Sequence, residues 1–469
     1  MKNSLLLLFI VQSLVVGQAQ AQWQPDVRLT NNLATSTTSL NNAWCVAAMG
    51  DTVQVVWDDD RDGNTEIYYK RSTDAGVNWG TDTRLTNNVD ESLDPCIALS
   101  GSDVHIVWQN AANGHYAIYY KRSTNGGVSW LADTSLTNVP FDLWNPSIAV
   151  NGSGLHVVWE DERQGNSEIY YKGSTDGGAH WGTDIRLTNN GSDSWNPAVS
   201  VSGSDVHVVW YDNRDGNWEI YYKHSSDAGV SWGPEVRLTN NAGVSRYPCI
   251  AVSGSVVHVV WHDDRGGNLQ PYYKRSADGG VNWGPDTPLS TNLGGSYYPC
   301  VAVSASRVHV VWYDFRDGNY ELYYKISADG GTSWGPDTRL TYDPAYSFFP
   351  SIAVSGPVVH VVWQDMRDGN YEIYYKRDPT GNAVGITEIP DENMFQVFPN
   401  PASNEVNVQS SDKINEILIY DVYGREVYRQ EIVQTNTEYH VTTSGFSNGI
   451  YFIKLTAKDR SCTRKFVKI

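Results

Sequence analysis

Val206-His207-Val208-Val209-Trp210 is one of seven closely similar runs, and its tryptophan returns every 51 residues, as Trp57, Trp108, Trp159, Trp210, Trp261, Trp312 and Trp363. A period that regular, in a unit too small to bury its own apolar surface, marks a repeat architecture whose units are stable only against neighbours. In the fourth unit Ala198 to Ser202, Val206 to Trp210 and Glu219 to Ser225 read as short strands, and a fourth runs from Trp232 into Val236-Arg237-Leu238-Thr239. Their length, their β-branched and aromatic content and the Gly or Asn turns between them predict antiparallel strands, and no segment carries a helical period. One four-stranded sheet per unit, repeated radially, predicts an all-β chain folded as a β-propeller.

The ends of the repeat specify its closure. Tyr-Tyr-Lys occurs seven times, ending at Lys70, Lys121, Lys172, Lys223, Lys274, Lys325 and Lys376, yet the turn and fourth strand expected after the last copy are missing there. They stand at the other end of the chain, where Trp23-Gln24-Pro25-Asp26-Val27-Arg28-Leu29-Thr30 matches Trp232 to Thr239. The expectation is a seven-bladed propeller over residues 22–377, closed by the N-terminal strand and left with no unpaired inner edge.

The chain has 469 residues and a net charge of -19, a balance that repels phosphate backbones and anionic membranes and argues against nucleic acid as a partner. Residues 1–21 read as a secretory signal, with Lys2, an apolar core from Leu5 to Val16 and Ala19-Gln20-Ala21 as cleavage site. No later stretch is apolar for long enough to act as a transmembrane anchor. Cys45, Cys96, Cys249 and Cys300 share one repeat position that Ser147, Ala198 and Ser351 fill elsewhere. They read as small buried side chains, or as neighbouring-unit bridges Cys45 to Cys96 and Cys249 to Cys300 if their Cα atoms lie within about 7 Å.

Between the third and fourth strands stands Ser72-Thr73-Asp74-Ala75-Gly76-Val77-Asn78-Trp79, with counterparts ending at Trp130, Trp181, Trp232, Trp283 and Trp334. The carboxylate caps backbone amides, the glycine permits positive φ and the tryptophan anchors the hairpin. Six copies in phase resemble the Asp box, or BNR repeat, of sialidase-like propellers. That resemblance implies a structural box on the face opposite the active site. Strand alternation gives the same sorting, because the hairpin between strands two and three shares a face with the connection to the next blade.

That hairpin carries the candidate ligand residues. Asp212, Arg214, Gly216, Asn217 and Glu219 form a pattern repeated through Arg61, Arg163, Arg265, Arg316 and Arg367, with Asp314 as another copy of the aspartate. The second unit has Asn110, Ala112, His115 and Ala117 instead, a joint loss that predicts contact among the four polar groups. Two readings stand: an ion-pair network pinning the hairpin, and arginines presented to a carboxylate or hydroxyl-rich ligand. Beside them lie aromatics, Trp144, Trp195, Tyr247 and Tyr298 near the first strands and Trp218, Tyr320 and Tyr371 on the hairpins. Aromatics among Asn, Asp and Arg suit sugar rings, which present C–H faces to stack and hydroxyls to bond; sealing blade tops is the structural alternative.

Metal signals are weak. Asp58-Asp59-Asp60-Arg61-Asp62-Gly63 fits half a calcium loop, but Tyr69 stands where the twelfth-position glutamate belongs, so calcium is a minor alternative to having no cofactor. His105, His156, His207, His258, His309 and His360 alternate with valine within strands and are expected to pack between blades.

After Arg377 the repeat stops. Residues 378–394 read as a linker and residues 395–469 as a small β-sandwich. Phe398-Pro399-Asn400-Pro401, Ile419-Tyr420-Asp421-Val422-Tyr423-Gly424-Arg425, Gly449-Ile450-Tyr451-Phe452 and the final Lys465 to Ile469 resemble a C-terminal sorting domain of the type IX secretion system. The resemblance implies export by that machinery and a place outside, or attached to the outer surface of, a Gram-negative cell.

Sialidase resemblance further implies an arginine triad, a tyrosine nucleophile with a glutamate partner and an acidic acid/base, all at non-equivalent positions. Here arginines and carboxylates recur at equivalent positions, the Arg-Ile-Pro motif is absent, and one-off residues such as Arg246, Glu91 and Asp142 assemble no site on paper. The catalytic residues are therefore unknown. The expectation is a noncatalytic glycan-binding or adhesion propeller, with an exo-acting, sialidase-like glycoside hydrolase and a surface protein-interaction scaffold as alternatives.

Overall fold

The computed structural model describes residues 23–39, 44–112, 114–381, 395–410, 414–421, 426–432, 438–457 and 460–469. The signal segment and most of the linker lie outside these. Contacts divide the described chain into two units, one within residues 23–381 and the other within residues 395–469.

In the first unit seven sheets follow one another. In the fourth, Ser194–Ser202 pairs with Asp205–Asp212, that strand with Glu219–Ser225, and the last with only two residues, Val236–Arg237. The inner strand is longer than its apolar run because Ser194 and Trp195 continue the ladder beyond a bulge, opposite Asp212 and Tyr211. Alternation along the second strand packs both faces: Val206, Val208 and Trp210 meet the preceding blade, Val209 and Tyr211 the following one. Burying each such side chain contributes about 1.5–3 kcal/mol, which is why the run is apolar almost throughout.

The N-terminal strand completes the seventh sheet, with Val27 opposite Tyr375 and Arg28 opposite Tyr374. Asp26 receives Arg367 and Lys376, each at 2.8 Å, just as Asp286 receives Arg265 and Lys274 within the fifth sheet. The seventh inner strand then meets the first, Cys45 N–H donating to Ser351 Oγ at 3.0 Å and Ser355 Oγ to Gly50 O at 2.9 Å.

Each Asp box locks its blade onto the one before. Ser231 N–H donates to Asp227 Oδ1 at 2.8 Å and Gly229 N–H to Ser225 Oγ at 2.9 Å, forming the turn. Gly229 adopts φ +85°, and a Cβ there would lie 2.0 Å from the Tyr171 hydroxyl of the preceding blade. Trp232 packs edge-on to the same tyrosine at 5.0 Å. Tyr171 in turn bonds His156 Nδ1 at 2.8 Å, so the strand histidines are buried between blades, and burial lowers His156 to about 4.

The first inner strand is split. Ser36–Thr37 and Val46–Met49 both pair with Thr52–Asp59, separated by the extra loop residues where other blades have only the bulge. Trp44, at the end of that loop, packs against the cores of blades two and three and also those of blades five to seven, and so crosses the axis. A cavity of about 250 Å³, lined by the inner strands and Trp44, occupies the centre.

In the second unit Phe395–Phe398, Glu405–Ser410 and Glu438–Thr442 form one sheet, and Glu426–Glu431, Glu416–Asp421, Gly449–Ala457 and Arg460–Lys468 another. Val406, Val408 and Val441 from the first meet Ile417, Ile453 and Phe466 from the second in one core. Asn400 Oδ1 accepts Val467 N–H at 2.9 Å, so the Phe-Pro-Asn-Pro motif fastens the final strand.

Candidate functional site

The hairpin between strands two and three meets the connection to the next blade, Asn217 Nδ2 donating to Asn241 O at 3.0 Å and Gly243 O at 2.6 Å. On this face the six repeated arginines are part-buried and each is held by carboxylates. Arg265 donates to both oxygens of Asp263, at 2.8 and 2.6 Å, and to Asp286 of the outer strand at 2.6 Å. Arg61, Arg163, Arg214, Arg316 and Arg367 repeat this double pairing, and all six guanidinium groups lie 4.0–4.5 Å from a strand-three tyrosine ring. Asp212 and Asp314, under their hairpins, are fully buried. Their geometry is that of the pinning network, with the guanidinium donors directed inward.

The four polar groups of the hairpin do not form one cluster. Asp212 and Arg214 pair with each other, whereas Glu219 accepts from Arg237 at 2.9 Å and from Asn217 at 3.1 Å. Asn241 links Glu219 to the next blade, its N–H reaching Glu219 and its Nδ2 reaching Asp263 of the next hairpin. Asp58, Asp59 and Asp62 of the calcium-like run turn to different partners, Thr37, Arg61 and Tyr68.

A second set of residues converges where the inner strands open on this face. In blades two to seven the inner strand bulges just before a proline, and the non-glycine residues Asp94, Asn145, Asn196, Tyr247, Tyr298 and Phe349 hold φ between 45° and 54°. A bulge re-aims a side chain, and strain of this kind persists only where neighbours enforce it. The enforcing groups follow the repeated tryptophans. Asn145 N–H donates to Gln109 Oε1 at 3.0 Å, Asn196 N–H to Glu160 Oε1, and Tyr298 N–H to His262 Nδ1 at 3.4 Å, each across a blade boundary.

The residue after each tryptophan varies among the blades, being Asp58, Gln109, Glu160, Tyr211, His262, Tyr313 and Gln364, all buried. The mouth is therefore asymmetric. Blades one to three supply a polar half. Asp58 lies beside Asp94, and burial first and that neighbouring charge second push its carboxyl well above the usual range. Glu160 Oε1 also accepts Asn145 Nδ2 at 2.7 Å, yet burial raises Glu160 to about 7. Ser39, from the extra loop, donates to Asp94 at 3.3 Å.

Blades four to seven supply an aromatic half. Trp195 and Trp218 stack at 4.5 Å, and Tyr211, Tyr247, Tyr298 and Phe349 continue the run at centroid distances of 4.4–5.4 Å. Arg246 lies over Trp218 at 5.5 Å. Trp195, Trp218, Tyr247 and Tyr298 thus come together, each half-buried. Trp144 packs at a tilt against Tyr116, centroids 4.2 Å apart, while Tyr320 and Tyr371 pack with Phe348.

Sequence reasoning missed the position after each tryptophan. Its signal was variability within an otherwise near-constant Val-Val-Trp-x-Asp run.

Residues 154–352 match the BNR repeat-like domain, and residues 396–469 match the secretion system C-terminal sorting domain. A sialidase from Bacteroides fragilis is 25% identical over 243 residues, 46% of this chain and 43% of the relative, so the match spans less than half of that protein. Among solved structures, polysaccharide lyase Uly1 superposes with TM-score 0.52 at 9% identity, covering 76% of this chain and 99% of that one. Trypanosoma rangeli sialidase gives TM-score 0.43 at 10% identity over 94% of this chain and 89% of its own.

Proposed function

We propose that this sialidase-like BNR-repeat propeller, exported by the type IX secretion system through its C-terminal sorting domain, binds glycans at the axial mouth of its hairpin face. The protein is secreted or held at the outer cell surface, and no helix among the described residues is long and apolar enough to cross a membrane. One observation carries the reading: an unbroken aromatic half-ring from Trp195 to Phe349 faces a half-ring of carboxyl and amide groups. Sugars need that combination of a surface for C–H faces and acceptors for hydroxyls. The pairing of the hairpin arginines with carboxylates favours one asymmetric site over several equivalent ones.

A second reading, glycosidic bond cleavage, is favoured by Glu160, a buried carboxyl that is part-protonated near neutral pH and so suited to proton donation. The purified full-length secreted protein, applied to a glycan array and to chromogenic glycosides including sialosides, separates the two. Saturable binding without turnover supports the binding protein, turnover lost in Glu160→Gln supports the hydrolase, and silence in both favours a protein-interaction scaffold.

A further inference from the structure

Blade six departs from the repeat at three rim positions at once. Phe315 follows the buried aspartate of its hairpin, where the other units have Asp60, Ala111, Glu162, Asn213, Asp264 and Met366. Tyr342 opens the connection to blade seven at a position that is asparagine in five of the other six units. Tyr346 ends that connection, where Glu91, Asp142, Asp193, Val244 and Gly295 stand elsewhere. All three are exposed, at 41%, 69% and 42%. A role in holding blades together would recur in every unit, whereas exposed aromatic replacements gathered on one blade serve something outside the fold.

The three extend a longer series. Phe315 and Tyr346 pack on Tyr320 at 4.9 and 5.6 Å, and Tyr320 meets Tyr297 at 5.9 Å. Tyr297 and Tyr298 both stack on the buried Tyr313, at 5.4 and 5.7 Å, and Tyr298 belongs to the axial half-ring. Ring contacts therefore run from the mouth to the rim over blade six. Gly295 keeps that lane clear: it holds the position of Tyr346 one blade earlier, and a Cβ on it would lie 2.4 Å from the Tyr297 hydroxyl. Backbone bonds fix the supporting segments, Phe315 N–H donating to Gly295 O at 3.0 Å and Ser347 N–H to Tyr320 O at 2.9 Å. The surface is thus formed in advance, which reduces the ordering cost of binding.

We propose that this radial platform binds successive rings of one polysaccharide chain, so that the glycan lies along its length from the mouth to the rim of blade six. The assignment rests on the glycan-binding reading above and deepens it by making the ligand a polymer. Ring faces of Tyr and Phe take the C–H faces of successive sugars, and phenol oxygens meet their hydroxyls. Continuity with the mouth favours one chain that occupies both, a continuity that a protein partner does not need.

The test compares the full secreted chain with a triple variant, Phe315→Asp, Tyr342→Asn and Tyr346→Asp. Each change restores a residue that other blades carry at that position, and the mouth residues stay in place. Equal melting temperatures show that the variant folds, and Tyr346→Asp alone serves if the triple variant melts lower. Gel retardation is measured in xylan, galactan, mannan and laminarin, and oligosaccharides of about two to about six units from each retarding polymer are titrated calorimetrically. Wild-type affinity is expected to climb with length by about tenfold or more, as two stacked rings would add. The variant is expected to flatten that climb while binding the shortest probe unchanged. Affinity independent of length, or a climb that survives in the variant, overturns the platform and leaves binding at the mouth standing. Self-association of the wild type that the variant abolishes, without any climb, assigns the face to a second copy and also overturns the platform. No retardation in any polymer overturns both readings.

Discussion

Glu160 accepts the backbone N–H of Asn196 across a blade boundary, and Asn196 holds φ at 48°. A side chain of one repeat thereby enforces the strained backbone of the next, and the same carboxyl stands at the mouth with its proton affinity raised.

That relationship makes stability depend on pH in a stated direction. Burial lifts Glu160 to about 7 from an ordinary 4.5, so between these values the native carboxyl keeps a proton that the unfolded chain releases. Stability from this group therefore falls as pH rises through that window and then levels. Glu160→Gln, which keeps the acceptor for Asn196, is expected to gain up to about 3 kcal/mol above pH 8 and nothing near pH 4. Melting curves from pH 4 to 9 read this; a pH-independent difference would sink it.

The hairpin arginines are expected to act on stability. Burial alone would raise Asp263, but its bonds from Arg265 outweigh that and hold it below the usual range. The stabilisation is present above the unfolded value near 3.8 and is lost as pH falls through the lower folded value. Arg265→Ala strands a buried carboxylate and is expected to cost about 2–4 kcal/mol in urea unfolding at neutral pH. Glycan affinity should not change; a selective loss of affinity with unchanged stability would restore the arginines as ligand residues.

Glycines that look alike in sequence are expected to respond differently. Gly229→Ala meets both a positive φ and the Tyr171 hydroxyl, and should cost about 2–4 kcal/mol. At Gly203, φ is +61° but no heavy atom lies within 4 Å, so alanine there should cost only about 1–2 kcal/mol. Comparable losses at the two sites would show that the box does not lock the blades.

Cys249 and Cys300, on adjacent inner strands, bring their sulfurs to 3.6 Å. Under a disulfide oxidant such as diamide, peptide mapping is expected to find this pair joined before Cys45 with Cys96. Preferential linkage of the latter pair would contradict the geometry.

The repeat made the fold legible. A 51-residue period, in-phase Asp boxes and a displaced fourth strand lead directly to the sheets and to the pairing of Val27 with Tyr375. The mouth was harder to read, for two reasons. Its residues sit where the repeats disagree, as at Glu160 and His262, and divergence in a repeat resembles noise. Its bonds also join positions 36 residues apart, Gln109 to Asn145 for example, an offset that aligning units at their period hides. One clue was available: Glu219 pairs with Arg237, and the second and fifth units lose both partners together, as Ala117 with Ser135 and Gln270 with Pro288.

The pairing of Arg28 with Glu372 spans 344 residues. The strand that seals the ring is among the earliest made and its partner among the latest, so it waits unpaired while six other sheets assemble. Closure is thus a late, long-range step, and a chain interrupted before Glu372 has no sealed state to reach.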